Sequence, residues 1–194
     1  MRKLLPFTFL FMMPAFSFGQ GFEAWIGGGV SKLSNRNIGS LDGTTANLIN
    51  LQDGWRLNFI LGLNNWRYFG HEIGYSYNRT NWNIAGANTG SAVHEGGYNF
   101  LAYAIPEGKA RFRPFATAGG EFANFAFPGY SATSGGGSTK FGFNYGAGVK
   151  VRVMEIFGFR VDFRQHSLGK PFNLPGQTGR LKQNEISVGI GVQL

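Results

Sequence analysis

The chain has 194 residues and no cysteine, carries a formal charge of +8, and is only 14% charged, while Phe occurs 20 times and Gly 31 times; soluble domains are roughly 25% charged. Without cysteine there is no disulfide, no thiolate metal site and no lipid-modified N-terminal cysteine. Nothing in the chain is an apolar run long enough for a spanning helix, which leaves an all-β protein that shows apolar surface to something other than water.

The chain starts with Met1-Arg2-Lys3, an apolar run over 4–13, and the small residues Ser17 and Gly19. That order reads as a secretory signal peptide over 1–19, cleaved after Gly19 or, as the alternative, after Ser17. The single domain then spans 20–194. Loss of Arg2 and Lys3 leaves a net charge of +6. An exported chain argues against nucleic acid as the basic partner, in favour of anionic lipid headgroups and internal charge pairing.

In chain order, residues 21–33 alternate Phe22, Ala24, Ile26 and Val30 against Glu23, Trp25, Gly27 and Gly29, the period of 2 expected of a strand. A polar connection over 34–52 follows. Residues 53–63 set Trp55, Leu57, Phe59 and Leu61 against Arg56, Asn58 and Ile60, and Asn64-Asn65 signals a tight turn. Residues 66–82 place Phe69, Ile73, Tyr75 and Tyr77 opposite Glu72, Ser76 and Asn78, with His71 the awkward member of the apolar face. Residues 83–94 read as a second long polar loop. The strand over 95–105 is assigned with Tyr98, Phe100, Ala102 and Ala104 outward, and residues 106–108 form a turn. Residues 109–125 carry Phe112, Ala116, Ala118 and Phe122 against Arg111, Arg113, Thr117 and Glu121, with Pro114 expected near a strand end or bulge. A Gly/Ser-rich loop over 126–138 leads to a strand over 139–153, where Phe141, Phe143, Tyr145, Val149 and Val151 oppose Asn144, Lys150 and Arg152. Residues 156–165 set Phe157, Phe159, Val161 and Phe163 against Arg160, Asp162 and Arg164. A loop over 166–181 precedes the last strand, in which Ile186, Val188, Ile190, Val192 and Leu194 alternate with Ser187, Gly189, Gly191 and Gln193.

Eight strands joined by alternating long and short connections predict an eight-stranded antiparallel up-and-down transmembrane β-barrel, with all long loops at one end. The orientation of the faces follows from cost. A barrel of eight strands has an interior only wide enough for its own side chains, and one Arg facing lipid at mid-depth costs roughly 2–4 kcal/mol. The aromatic faces therefore point to lipid, and Glu23, Arg56, Glu72, Arg111, Arg113, Glu121, Lys150, Arg152, Arg160, Asp162 and Arg164 point inward as a charge network. The inverse, a soluble barrel with a greasy core, would crowd a small lumen with rings. Trp55, Trp66, Tyr68, Trp82, Tyr98 and Tyr145 fit an interfacial girdle.

The stretches Arg111-Phe-Arg-Pro-Phe-Ala-Thr-Ala-Gly-Gly120, Phe141-Gly-Phe-Asn-Tyr-Gly-Ala-Gly-Val149 and Phe159-Arg-Val-Asp-Phe-Arg164 resemble strands of the eight-stranded outer-membrane β-barrel family, typified by OmpA-like transmembrane domains and OmpX-like proteins. The resemblance implies residence in the outer membrane of a Gram-negative bacterium. It also implies contact with outer-membrane lipid and lipopolysaccharide, and recognition by the barrel-assembly machinery. Ser187, Gly189, Val192 and Leu194 are similar to that family's terminal assembly signal, with Leu194 standing where Phe or Trp is commoner.

No catalytic, cofactor or metal site is assigned. His71, His94 and His166 lack metal-ligand spacing. The Asp162…His166-Ser167 group is the sharpest enzymatic candidate, since some barrels of this size deacylate lipid A with a His-x-Ser arrangement. Here the two residues are adjacent and would face opposite ways in a strand. A structural or surface-interaction barrel is the reading adopted; the alternative is a narrow, low-conductance channel. A loop ligand is not identified, although Tyr130 and Phe172 sit near loop tips.

Overall fold

The computed structural model describes residues 21–64, 66–106, 110–130 and 137–194; the expected signal peptide lies outside them. Ten strands form, β1 (Phe22–Ser34), β2 (Asn37–Ser40), β3 (Leu48–Leu51), β4 (Gly54–Leu63), β5 (Phe69–Ile84), β6 (Ala87–Tyr103), β7 (Phe112–Ala126), β8 (Gly137–Arg152), β9 (Phe157–Leu168) and β10 (Leu181–Gln193). Among the described residues no helix is long and apolar enough to cross a membrane.

Eight of the ten strands close a ring in the order β1-β4-β5-β6-β7-β8-β9-β10, every pair antiparallel. β10 pairs with β1 from Glu23↔Gln193 to Ser34↔Lys182, so neither strand is left as an open edge. Closure lets every strand satisfy its backbone groups against neighbours, which is what a lipid-embedded sheet requires. The remaining two strands form a hairpin within the first long connection. β3 adds to the projecting end of β5, with Leu51 opposite Trp82 and Ile49 opposite Ile84.

Through the lower two-thirds of the barrel the alternation is apolar outward and polar inward. Ile26, Phe59, Phe100, Phe159 and Ile190 are exposed on the outer wall, while Glu23, Glu72, Lys150, Arg160 and Asp162 are buried inside. Tyr98, Phe100 and Ala102 of β6 do face outward, and Ala104 just beyond the strand is exposed too. Towards the long-loop end the alternation inverts. Leu33, Val93, Phe125, Leu168 and Leu181 occupy the inward parity, and they form one buried apolar cluster with Ile38, Ile49, Leu51 and Trp82. The inversion has a simple cause. Where the outer wall meets water instead of lipid, apolar residues gain by turning inward, so the change of parity marks the edge of the membrane belt.

This cap corrects several expectations. Residues 83–94 are not a long loop. β5 and β6 continue pairing to Ile84↔Ala87, and the connection is the two-residue turn Ala85-Gly86, both at positive φ (48° and 88°), as a tight hairpin demands. The segment looked unstructured because polar residues are favourable on the outer wall once it rises above lipid. The connection over 34–52 holds β2 and β3 for the same reason. Trp82 is no girdle residue, since it is 4% exposed and packs in the cap. Phe172 is not a free loop tip either: its ring lies 5.1 Å from Trp82 and 4.8 Å from Phe127. Trp55, Trp66, Tyr68, Tyr98 and Tyr145 remain on the outer wall.

Candidate functional site

Under the cap, the lumen is filled by charged and amide side chains in two connected layers. The lower layer is built on β1, β5, β8 and β9. Lys150 is ion-paired to Glu23 and donates to the Tyr103 hydroxyl at 2.6 Å. Glu23 also accepts from Trp25 Nε1 at 3.0 Å and Asn64 Nδ2 at 2.7 Å. Above this pair, Arg160 donates Nη1 and Nη2 to the two oxygens of Glu72 at 2.8 and 3.2 Å. It holds Asp162 through Nε at 2.6 Å and Nη2 at 2.8 Å. Arg164 reaches the same two carboxylates. Three cations thus face three carboxylates in a part of the lumen from which water is largely excluded. Glycines on β8 leave the room: Gly146 lies opposite Arg164, and a Cβ there would strike the β9 backbone and the Arg164 stem.

The upper layer is centred on Arg56. It contacts Glu95 at 3.1 Å and Glu185 at 3.2 Å, and donates to Asn58 Oδ1 at 2.9 Å and Ser76 Oγ at 2.7 Å. His166 bridges Glu121 Oε2, 2.8 Å from Nδ1, and Glu185 Oε2, 3.0 Å from Nε2. A cavity of about 40 Å³ remains beside these groups. That is room for a water molecule or two.

The expected network residues divide as follows. Glu23, Arg56, Glu72, Arg113, Glu121, Lys150, Arg160, Asp162 and Arg164 are all buried in the lumen. Arg113 sits at its lower end, with its guanidinium 3.7 Å from the Tyr103 ring centroid. Arg111 is exposed and does not enter the lumen. It precedes β7, and its carbonyl accepts from Arg152 N at 2.7 Å at the rim, so its side chain meets water and not the barrel axis. Arg152 is half-buried there, donating to Gln193 Oε1 at 3.2 Å. Sequence reasoning missed Glu95, His166 and Glu185, which hold the upper layer together. Glu95 and Glu185 already stood on the inward parity of the strands assigned from sequence, and one further residue on the strand over 156–165 would have placed His166 there.

The candidate catalytic group comes apart. Asp162 is engaged by two arginines. His166 points inward to Glu121 and Glu185, whereas Ser167 lies on the other face of β9 and accepts from Arg180 Nε at 3.0 Å. Among the described residues the imidazole is engaged by carboxylates and Arg56, and Ser167 is turned away from it. His94, expected in a loop, lies on the outer wall of β6, 2.7 Å from the Tyr75 hydroxyl. His71 stacks 6.5 Å from Trp66 and 5.8 Å from Tyr98. Among the described residues no cluster of His and carboxylates is arranged to hold a metal ion.

Of the terminal-signal residues, Ser187, Gly189 and Val192 lie along β10 and Leu194 directly follows it. Ser187 donates to Glu185 Oε1 at 2.7 Å. Gly189 lies between Gly27 and Arg160, and Val192 between Ala24 and Phe157. Leu194 N donates to Phe22 O, and its carbonyl accepts from Gly21 N, both at 2.8 Å.

Residues 4–193 match the family described as the outer membrane protein beta-barrel domain. No curated protein sequence matches the chain. Among solved structures, the fold is similar to neisserial surface protein A, at 15% identity and a TM-score of 0.63, covering 90% of this chain and 97% of that one. It is also similar to OprG of Pseudomonas aeruginosa, at 14% identity and a TM-score of 0.59, with the same coverages. A third similar structure is Ail, the attachment invasion locus protein of Yersinia pestis, in complex with the heparin analogue sucrose octasulfate. There the identity is 15%, the TM-score 0.50, and the coverage 90% and 99%.

Proposed function

Because the chain belongs to the outer membrane protein beta-barrel domain family, we propose that it is a closed barrel of a Gram-negative outer membrane, exported by a cleaved signal peptide and acting as a structural or surface-interaction protein. The observation that carries this reading is the bridge between Arg160 and Glu72. The two residues stand on β9 and β5, four strands apart either way round an eight-stranded ring, so the pair spans the lumen. With the apolar cap above it, a solute would meet two closures in series. The reading also draws on Ail, a protein named for attachment and solved with a heparin analogue; in this reading the long connections here are presented outward. The barrel-assembly machinery would be its partner during insertion, with β10 as the recognised strand.

The test is conductance. Refolded protein in planar bilayers is expected to show no unitary steps. Stable steps would favour the second reading, a narrow channel, for which the cavity beside Arg56 is the one supporting feature.

A further inference from the structure

We propose that the cavity beside Arg56 is a binding site for one small monovalent cation, sodium, held by side-chain oxygens of Glu95, Asn99, Glu121 and Asn144.

The charges in the lumen do not balance layer by layer. In the lower layer Lys150 offsets Glu23, while Arg160 and Arg164 offset Glu72 and Asp162. In the upper layer three carboxylates, Glu95, Glu121 and Glu185, share Arg56 and His166. Even with His166 counted as imidazolium, one negative charge is left over. Arg164 borders the same cavity, but its guanidinium is committed to Glu72 and Asp162. Arg113 stands eight residues along β7 from Glu121, roughly 26 Å in an extended strand, and is too distant to offset it. A buried charge without compensation is costly.

The hydrogen-bonding groups show the same excess. Glu95 Oε1, Asn99 Oδ1, Glu121 Oε1 and Asn144 Oδ1 are buried with no partner in the protein. Their four side chains line the cavity, and each is more than nine-tenths buried. Among the described residues of that lining, every fully buried side-chain atom without a partner is an oxygen. The Asn144 amide is oriented by its own donation to Glu121 Oε2 at 2.9 Å, which leaves Oδ1 over. Water can supply the missing hydrogen-bond donors but not the missing charge. Carboxylate and amide oxygens suit a hard cation, and with only two carboxylates and no imidazole among them they do not suit a transition metal. An excess of one charge selects a monovalent ion over calcium or magnesium. The cavity of about 40 Å³ is of a size for a small ion and one water.

Strand register gathers the four side chains. On the adjoining strands β6, β7 and β8, Glu121 lies opposite Gly97 and Gly142, and Gly119 lies opposite both Asn99 and Asn144. Glu95, Asn99 and Asn144 are therefore all diagonal neighbours of Glu121, about 7–8 Å away at the backbone. The glycines keep the hollow open. A Cβ on Gly97 would lie 3.2 Å from Glu121 Cβ, and one on Gly119 only 2.2 Å from Asn99 Oδ1.

The experiment follows urea unfolding of the chain refolded into detergent, at constant ionic strength, with sodium chloride replacing choline chloride and EDTA present. Compact, heat-modifiable migration is checked first for each variant. The wild-type unfolding constant should fall about tenfold for each tenfold rise in sodium above the dissociation constant. Glu95→Gln removes the excess charge while Arg56 keeps Glu185, and should abolish that dependence. Asn99→Leu keeps the charge and removes one oxygen, so the dependence should set in at a sodium concentration at least about tenfold higher. Lys32→Gln, a charge removed from the outer wall, should behave as wild type. Equal stability of the wild-type protein in sodium and choline would overturn the proposal without recourse to any variant, leaving water or a shared proton in the cavity. Full sodium dependence in Glu95→Gln would overturn it too. If that variant does not fold, an unchanged onset in Asn99→Leu would do the same. Stronger stabilisation by calcium chloride than by sodium chloride, with EDTA omitted, would overturn the monovalent assignment.

Discussion

Arg160 and Glu72 make a two-point ion pair, at 2.8 and 3.2 Å, between diametrically opposed strands of the barrel. The pair crosses the lumen with side chains alone. It is held in place because Asp162 and Arg164 bind the same two groups.

Breaking one side of that arrangement should be costly. Glu72→Gln leaves Arg160 and Arg164 sharing Asp162, and an uncompensated buried cation costs roughly 3–5 kcal/mol. The urea midpoint of refolded protein in detergent should fall accordingly. Replacing both partners, as Glu72→Met/Arg160→Met, removes one charge of each sign and leaves Arg164 with Asp162. That double variant should be much nearer wild type than Glu72→Gln, and an equal loss would argue against the charge-balance account.

The cap makes a separate contribution. Phe125 is 2% exposed at the centre of its apolar cluster, and Phe125→Ala should cost about 3–5 kcal/mol. The expected effect is concentrated above the belt. Hydrogen exchange should speed up most at the upper ends of β6, β7 and β10, with the amides around Arg160 still protected. Uniform acceleration along β9 would mean that cap and lumen do not unfold separately.

Asp42 lies in the first outer connection, where Ser40 Oγ, Thr44 N, Thr44 Oγ1 and Asn47 Nδ2 all donate to its carboxylate. These hydrogen bonds, that from the Thr44 backbone first, hold its pKa well below the usual carboxylate value. A depressed folded pKa means that the stabilisation is present above the unfolded pKa, about 3.9, and is lost only as pH falls through the lower, folded one. The Thr44 amide should therefore stay protected at pH 4, once its pH-dependent intrinsic rate is divided out, and Asp42→Ala should abolish that protection at neutral pH. Loss of protection between pH 5 and 4 in the wild-type protein would contradict the assignment.

The end of β10 bears on assembly. Deleting Val192–Leu194 removes the pairing of Leu194 with Phe22 and Gly21 along with the apolar end of the proposed signal. Insertion should suffer more than from a three-residue deletion within residues 131–136. Equal insertion of the two truncations in cells would count against a signal role.

The amino-acid sequence by itself determined the barrel and its orientation. A strict period of 2 with large aromatic residues on one face and both signs of charge on the other has one inexpensive solution in lipid, and Arg160, Asp162 and Arg164 could be placed inward from their alternation alone. Tertiary structure decided what a single strand cannot express. That Arg160 meets Glu72 depends on strand count and stagger, which place β9 across from β5. The cap depends on where the outer wall leaves lipid, because there the same alternation reverses its meaning: Leu33, Val93 and Phe125 turn inward, and Lys32 turns outward. Reading residues 83–94 as a loop came from carrying one rule of polarity past that boundary, whereas placing Arg111 in the lumen came from starting β7 too early, at the opposite rim.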